Sequence, residues 1–304
     1  MQQTFYSNGK LLITGEYLVL DGAMALGLPT KKGQNLVVNP NNTNHISWKS
    51  FDADGNVWFE TTFETKDIAL QDNNSAEGIK STLLTILYEA KQLNPNFLQP
   101  NQGFDIETHL TFPRNWGLGT SSTLINNIAQ WAHVDAFKLL QNSFGGSGYD
   151  IACAQHNTAI LYQITDHKPR VKAIEYKPSF SENLYFVYLN QKQNSKAAIS
   201  AYHKNKKSNL NKVITKINGL TQQVLEAPNA KALAEILFKH EKTLSNLLEV
   251  ETVKTQYFSD FEGEIKSLGA WGGDFVLVVA TSNPTAYFQN KGFETILTYE
   301  QMIL

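Results

Sequence analysis

A single cysteine, Cys153, is all that the chain's 304 residues contain. No intrachain disulfide can form, which fits a reducing compartment. Set in the apolar run Ile151–Ala154, that thiol reads as a small buried hydrophobe rather than a nucleophile. Long apolar runs are missing as well. Phe275–Ala280 falls far short of the about 20 residues that cross a bilayer, and the opening MQQTFYSNGK has no apolar signal core. Charge of one sign is also absent: 26 Lys and Arg stand against 28 Asp and Glu, for a net charge of −2, with no long basic run. That balance argues against a nucleic-acid surface built on bulk electrostatics, and leaves room for a local basic pocket around a small anion. Internal repeats and low-complexity tracts are not found. What is present is a hydrophobic content of 42% with 18% charged residues, enough for one large core or two of ordinary size. The expectation is a soluble cytoplasmic protein without membrane or nucleic-acid partners.

Two periods run through the chain. Leu11–Ile13, Tyr17–Leu20 and Leu36–Val38 read as short strands, and His45–Phe51 with Val57–Phe63 reads as a hairpin around Asp54-Gly55. Alternation returns at Phe104–Thr108, and strands are expected at Thr158–Gln163, Leu184–Leu189, Phe275–Ala280 and Thr295–Tyr299. Helical spacing links Ile79, Leu83, Ile86, Leu87 and Ala90, with Ser75 available as a cap, and links Leu124, Ile125, Ile128 and Ala132. A long amphipathic helix covers Leu233–Leu248, with His240 as a partly buried helix residue. The mixture lacks strict βαβ alternation, so the class is α+β. Thr165–Ser181, rich in Lys, Pro and Asp, is a plausible join between halves, and Asn190–Asn211 is a long polar connection.

The most telling stretch is FPRNWGLGTSSTLINNIAQ, residues 112–130. Gly117 and Gly119 bracket Leu118, and four hydroxyl residues, Thr120 to Thr123, open the helical pattern. A helix start leaves N–H groups unpaired and carries partial positive charge. Glycines just before it let a phosphate approach the backbone, and first-turn hydroxyls can bond phosphate oxygens or hold Mg²⁺. The string is not the usual Walker pattern, and a capped helix after a tight turn is the alternative.

Two further stretches carry charge in unusual settings. In SNGKLLITGEYLVLDGAMAL, Lys10 and Glu16 flank one short apolar strand, either as surface charges or as site residues. In GGSGYDIACAQ, Asp150 enters an apolar run after three glycines. A carboxylate there needs a cation or N–H donors, or serves as a helix cap.

Taken with LGAWGGDFVLVV, these stretches resemble the three motifs of the GHMP kinases, the family of galactokinase, homoserine kinase, mevalonate kinase and phosphomevalonate kinase. The motifs fall in order at Gly9–Tyr17, Pro113–Ser122 and Gly269–Asp274, so the resemblance spans nearly the whole chain. It implies a domain like the second domain of ribosomal protein S5 over residues 1–168 and a ferredoxin-like domain over 169–304. It also implies ATP and Mg²⁺ as cofactors and a small-molecule acceptor. Pro113, Gly117, Leu118, Gly119, Thr120, Ser121 and Ser122 match the ATP-phosphate segment, with Ser121 as the Mg²⁺ ligand. Asp150 matches the catalytic aspartate and Lys10 the lysine that pairs with it and with the transferred phosphate. Glu16, Gly272, Gly273 and Asp274 fall near the acceptor.

The sequence departs from the family's pattern in three places. Trp271 stands where the third motif usually has Gly. The hydroxyl string is Thr-Ser-Ser where Ser-Ser-Ala is common. Val134–Phe144 contains only Asp135 where the mevalonate-kinase type has its Mg²⁺-binding glutamate. Gly148-Tyr149-Asp150-Ile151-Ala152 and Gly272-Gly273-Asp274 are most similar to the phosphomevalonate branch. A phosphorylated acceptor needs extra cations, for which Lys192 and Lys196 in the polar connection are candidates, or else a solvated face.

Overall fold

The computed structural model describes residues 1–69, 78–191, 195–204, 210–269, 271 and 273–304, except for the side chains at 195–197, 201 and 203. The chain packs as two compact units, each assembled from separate stretches. The first comprises Met1–Gly9, Lys32–Arg114 and Leu118–Gln155; the second comprises Lys10–Lys31, Asn115–Gly117 and His156–Leu304.

Leu11–Ile13 lies within a longer strand, β1 (Gln3–Thr14). Tyr17–Leu20 is not the expected strand. Gly15 and Gly22 both have positive φ, 86° and 88°, so the chain reverses on either side of this stretch. Leu18–Asp21 closes into a 3-10 turn instead, with Leu18 and Val19 buried. Burial without room for extended pairing is what made the run look like a strand. The next strand, β2 (Ala25–Asn41), is far longer than Leu36–Val38.

In the first unit, β3 (His45–Phe51) and β4 (Val57–Glu64) form the expected antiparallel hairpin. Helices α1 (Thr65–Ala69) and α2 (Ile79–Leu93) follow. Gly78 occupies the N-cap of α2, and Ser75 lies outside the described residues. Strand β5 (Gly103–Leu110) pairs in parallel with β3 and antiparallel with β2 from Gln34 to Asn41. Three helices complete the unit: α3 (Thr120–Ala132), α4 (Ala136–Ser143) and α5 (Tyr149–Gln155). The helical spacing read from the sequence supplies the core. Leu83, Ile86 and Leu87 of α2 and Ile125 and Ile128 of α3 pack on Leu36, Ile46, Trp48 and Ile106 of the strands. Burying each such side chain is worth about 1.5–3 kcal/mol, which holds α3 firmly by one face.

The second unit contains the early part of β2, where Ala25–Gly27 pairs with β6 (Ile160–Thr165). The expected join at Thr165–Ser181 contains a strand, β7 (Lys168–Ala173), paired antiparallel with β6. Asp166 and His167, both at positive φ (51° and 58°), make the two-residue reversal between them. Its Lys, Pro and Arg content suits a sheet edge, where charge and proline are tolerated.

The remaining elements are β8 (Leu184–Tyr188), α6 (Ser195–Lys204), α7 (Asn211–Glu226), α8 (Ala230–Leu248), α9 (Val253–Tyr257), β9 (Glu264–Ser267), β10 (Phe275–Val279), α10 (Thr285–Asn290), β11 (Ile296–Thr298) and α11 (Tyr299–Met302). The strands run β11-β8-β10-β9, all antiparallel, with helices between β8 and β9 and between β10 and β11. This is the βαββαβ order of a ferredoxin-like sheet. Asn190–Asn211, read as a connection, includes helix α6. No helix among the described residues is long and apolar enough to cross a membrane.

Candidate active site

In the first unit, the hydroxyl-rich stretch forms the first turn of α3. Gly119 sits at the N-cap in the left-handed region, φ 96°, and no side chain caps the helix. The four hydroxyls are used differently. Ser122 is buried and donates to the Gly119 carbonyl at 2.9 Å. Thr123 is buried and donates to Gln34 Oε1 at 2.8 Å. Ser121 is exposed and Thr120 half-buried. The Leu118 side chain is in the core, so this residue offers a ligand only its backbone. Pro113 is half-buried.

A buried polar chain fixes α3 behind that first turn. Ser7 of β1 donates to Asn127 Oδ1 at 2.7 Å and accepts from Asn126 Nδ2 at 2.8 Å. Asn127 in turn donates to the Gln34 carbonyl of β2 at 2.9 Å. Gln155, the last residue of α5, donates to Asn126 Oδ1 at 2.9 Å. The hydroxyl helix and the helix carrying Asp150 are thereby pinned to each other and to the sheet. Asp150 lies in the first turn of α5, half-buried, and accepts from the Ile151 N–H at 3.0 Å. Asp135 is used locally: it caps α4 by accepting from Phe137 and Lys138 at 2.8 and 3.2 Å.

In the second unit, one residue from each of the three motifs meets at Gly117. Lys10 of β1 donates through Nζ to the Gly117 carbonyl at 2.9 Å. Gly117 has φ 68°, and a Cβ placed there would lie 2.3 Å from Asp274 Cγ. Only glycine satisfies both conditions. Asp274 is buried, with φ 54°, and is held at both backbone ends: its N–H donates to the Gln191 carbonyl at 2.7 Å and its carbonyl accepts from Leu189 at 2.8 Å. The residues before Gly117 are stitched to the same sheet. Tyr188 Oη donates to the Asn115 carbonyl at 3.1 Å, and Trp116 packs edge-on against Phe275 at 5.3 Å. Gly272 and Lys192 lie outside the described residues, and Gly273 follows directly on Gly272. Lys196 stands on α6, its side chain outside the described part.

Glu16 is 1% exposed and belongs to an interior cluster that pattern reading missed. Lys266 of β9 is fully buried, donates to Glu16 Oε1, and lies 3.4 Å from Glu241 Oε2 of α8. Glu241 also accepts from the N–H and hydroxyl of Ser267 at 3.2 and 2.7 Å. His240 accepts the Gly15 N–H at Nε2 at 3.2 Å, which places its ring proton on Nδ1. One cation here faces two carboxylates. Burial, only partly offset by Lys266, raises the Glu16 carboxyl to about 7, and burial raises Glu241 as well. Burial and then Lys266 hold His240 well below the usual imidazole range. A carboxylate this deep acts on a ligand only through its neighbours.

No protein-family model matches the chain, and no curated protein matches it in sequence. Solved structures do match, over nearly its whole length. Methanococcus jannaschii mevalonate kinase is 15% identical at a TM-score of 0.70, covering 98% of this chain and 97% of that one. Streptococcus pneumoniae phosphomevalonate kinase, solved with phosphomevalonate and AMPPNP, is 16% identical at a TM-score of 0.71, with coverage of 97% and 99%. Lactococcus lactis galactokinase, solved with galactose, is 13% identical at a TM-score of 0.71, with coverage of 98% and 92%. The chain has the GHMP-kinase fold. Structures that differ in acceptor match it equally well, so the fold by itself does not select a substrate.

Proposed function

We propose that the chain is an ATP- and Mg²⁺-dependent kinase that phosphorylates a small molecule, with phosphomevalonate as the leading acceptor. The observation that carries this reading is the uncapped, hydroxyl-bearing start of α3 preceded by glycines at positive φ, with Lys10 bonded to the Gly117 carbonyl next to it in sequence. Such a helix start offers N–H donors and partial positive charge to phosphate oxygens.

The donor set fits the cofactor. Backbone N–H groups from Leu118 to Ser122 would cradle the ATP phosphates. The exposed Ser121 hydroxyl is the group free of packing duties that would hold Mg²⁺, whose bound charge offsets that building on the phosphates. Lys10 stabilises the moving phosphoryl group. Asp150 orients the acceptor, or takes its proton if the acceptor is a hydroxyl. A phosphate monoester with a second pKa of about 6 is already anionic at neutral pH, so there Asp150 acts by orientation. Asp274, seated on Gly117, would bound the acceptor side together with Gly273; Gly272, Lys192 and the Lys196 side chain, the remaining candidates for the acceptor, lie outside the described residues.

Phosphomevalonate leads because of the residues around Asp150 and at Gly272-Gly273-Asp274, and because a phosphomevalonate kinase is among the equal structural matches. Mevalonate and sugar acceptors stay open for the same reason. Purified protein with Mg-ATP and, separately, phosphomevalonate, mevalonate, homoserine and galactose tests the reading through ADP release. ADP with phosphomevalonate alone supports it as stated, and ADP with another acceptor keeps the mechanism and moves the substrate. Mg-ATP binding without ADP from any acceptor contradicts it and favours a non-catalytic sensor on the same fold.

A further inference from the structure

Three consecutive residues directly after β1 are each gripped by a different part of the second unit. The Gly15 N–H donates to His240 of α8 at 3.2 Å. The Glu16 carboxylate accepts from Lys266 of β9. Tyr17 Oη accepts from the Trp271 N–H at 3.1 Å, and the Tyr17 ring lies 5.5 Å from that of Tyr202 of α6. Tyr17 holds φ 62°, a backbone state that bulky residues rarely occupy, so the grip determines this turn rather than merely decorating it.

One of the three contacts, from Trp271 to Tyr17, falls in the connection between β9 and β10, the stretch that ends in Asp274, and a second, from Lys266 to Glu16, falls in the strand just before it. Lys266 is the last charged residue before that connection. It is fully buried and bonded both to Glu16 and to the Ser267 carbonyl, the latter at 2.6 Å. Burying a lysine this deeply is costly unless it is paired, and the pairing chosen here spans 250 residues of sequence. Earlier in the chain, within β1 itself, Lys10 reaches the Gly117 carbonyl. One end of β1 thus sets Lys10, and the turn after it sets β9.

We propose that Lys266 is a positioning residue for phosphoryl transfer: paired with Glu16, it fixes the β9–β10 connection relative to β1, and so holds Asp274 and Lys10 in one geometry about Gly117. This rests on the kinase reading. Lys266 touches neither phosphate nor acceptor; it acts through Asp274.

The test uses the full chain. Glu16→Leu combined with Lys266→Met and Glu241→Gln removes all three charges of the cluster together. Replacing a buried pair by apolar residues of similar size often leaves stability unchanged. The amide oxygen of glutamine can accept the two bonds that Ser267 gives Glu241 Oε1. Amide exchange is then followed at Trp271 and Asp274, whose N–H groups are bonded to Tyr17 and Gln191, with Phe186 in β8 as the internal control. The expected result is exchange about tenfold faster at Trp271 and Asp274 with Phe186 unchanged. Unchanged exchange at both, or equal acceleration at Phe186, overturns the proposal, the latter because it marks general loosening. Should the triple variant not fold, Glu16→Gln, which keeps an oxygen for Lys266 but loses the charge, is read in the same way, with about threefold expected.

Turnover adds the functional arm. With whichever acceptor releases ADP, kcat falls about a hundredfold while KM for Mg-ATP stays within about threefold. A kcat equal to wild type in the folded variant overturns the proposal. If the wild-type protein releases no ADP with any acceptor, the kinase reading has failed, and amide exchange alone decides whether Lys266 fixes the connection.

Discussion

The Lys10 ammonium and the Gly117 carbonyl stand 2.9 Å apart, although 107 residues separate them in sequence. The bond places a positive charge beside the peptide that opens the glycine–hydroxyl stretch. Lys10→Met keeps the aliphatic stem and removes the charge and this bond. ADP release should fall about a hundredfold or more, the usual cost of losing a group that stabilises transition-state charge. The melting temperature should move by only a few degrees, since the pair is part-buried. Comparison of kcat with the thermal midpoint separates the two effects.

Gly117 and Gly55 make a controlled pair. Both have positive φ, 68° and 82°, but a Cβ at Gly55 meets nothing within 4 Å, whereas one at Gly117 meets the Asp274 carboxylate at 2.3 Å. Gly55→Ala therefore measures backbone strain alone, about 1 kcal/mol. Gly117→Ala adds displacement of a buried carboxylate and should cost about 2–4 kcal/mol. Urea unfolding of the two variants reads the difference directly.

Much of this was legible in the sequence, for local reasons. The α3 start announced itself because Gly117, Gly119 and four hydroxyls precede a clear helical period at Leu124, Ile125, Ile128 and Ala132. The β3–β4 hairpin followed from alternation around Asp54-Gly55. Tyr17–Leu20 misled because a short apolar run has no period long enough to separate a strand from a buried turn. The β7 strand was hidden by the edge chemistry of its residues. Lys266 was invisible for a deeper reason. In Glu264-Ile265-Lys266-Ser267 all four residues are buried, so alternation fails, and the burial is legible only once Glu16 and Glu241 are known to lie beside it.

The polar chain behind α3 should be costly to break. Asn126→Leu removes the acceptor of Gln155 and the donor to Ser7 in a buried setting. The expected loss is about 2–4 kcal/mol in urea unfolding, because a buried polar group left without a partner incurs its full desolvation penalty. Mg-ATP affinity should fall with it, since the chain holds the helix start proposed to meet the phosphates.

The interior cluster predicts a pH dependence of defined sign. The Glu16 carboxyl is raised from 4.5 to about 7 by burial, so between those values the folded chain binds more protons and loses stability as pH rises. Glu241 acts in the same sense and His240 in the opposite sense up to its unfolded value of 6.5. Lys266, whose pairing with both carboxylates outweighs the burial that opposes its charge, stays protonated throughout. Glu16→Gln removes only the first of these contributions. Its stability relative to wild type should therefore rise by about 3 kcal/mol between pH 5 and pH 8. Urea unfolding of both proteins at the two pH values gives this difference, and no change with pH would place the proton elsewhere in the cluster.

The role proposed for Asp150, work on the acceptor of a phosphoryl transfer, is tested most directly by comparing ADP release by wild type and Asp150→Asn. Both are assayed with Mg-ATP and the acceptor that supports turnover, beginning with phosphomevalonate. The expected result is a loss of about 10²- to 10⁴-fold in kcat with Mg-ATP binding retained. Equal turnover in the variant, or no acceptor-dependent ADP from wild type, would contradict it.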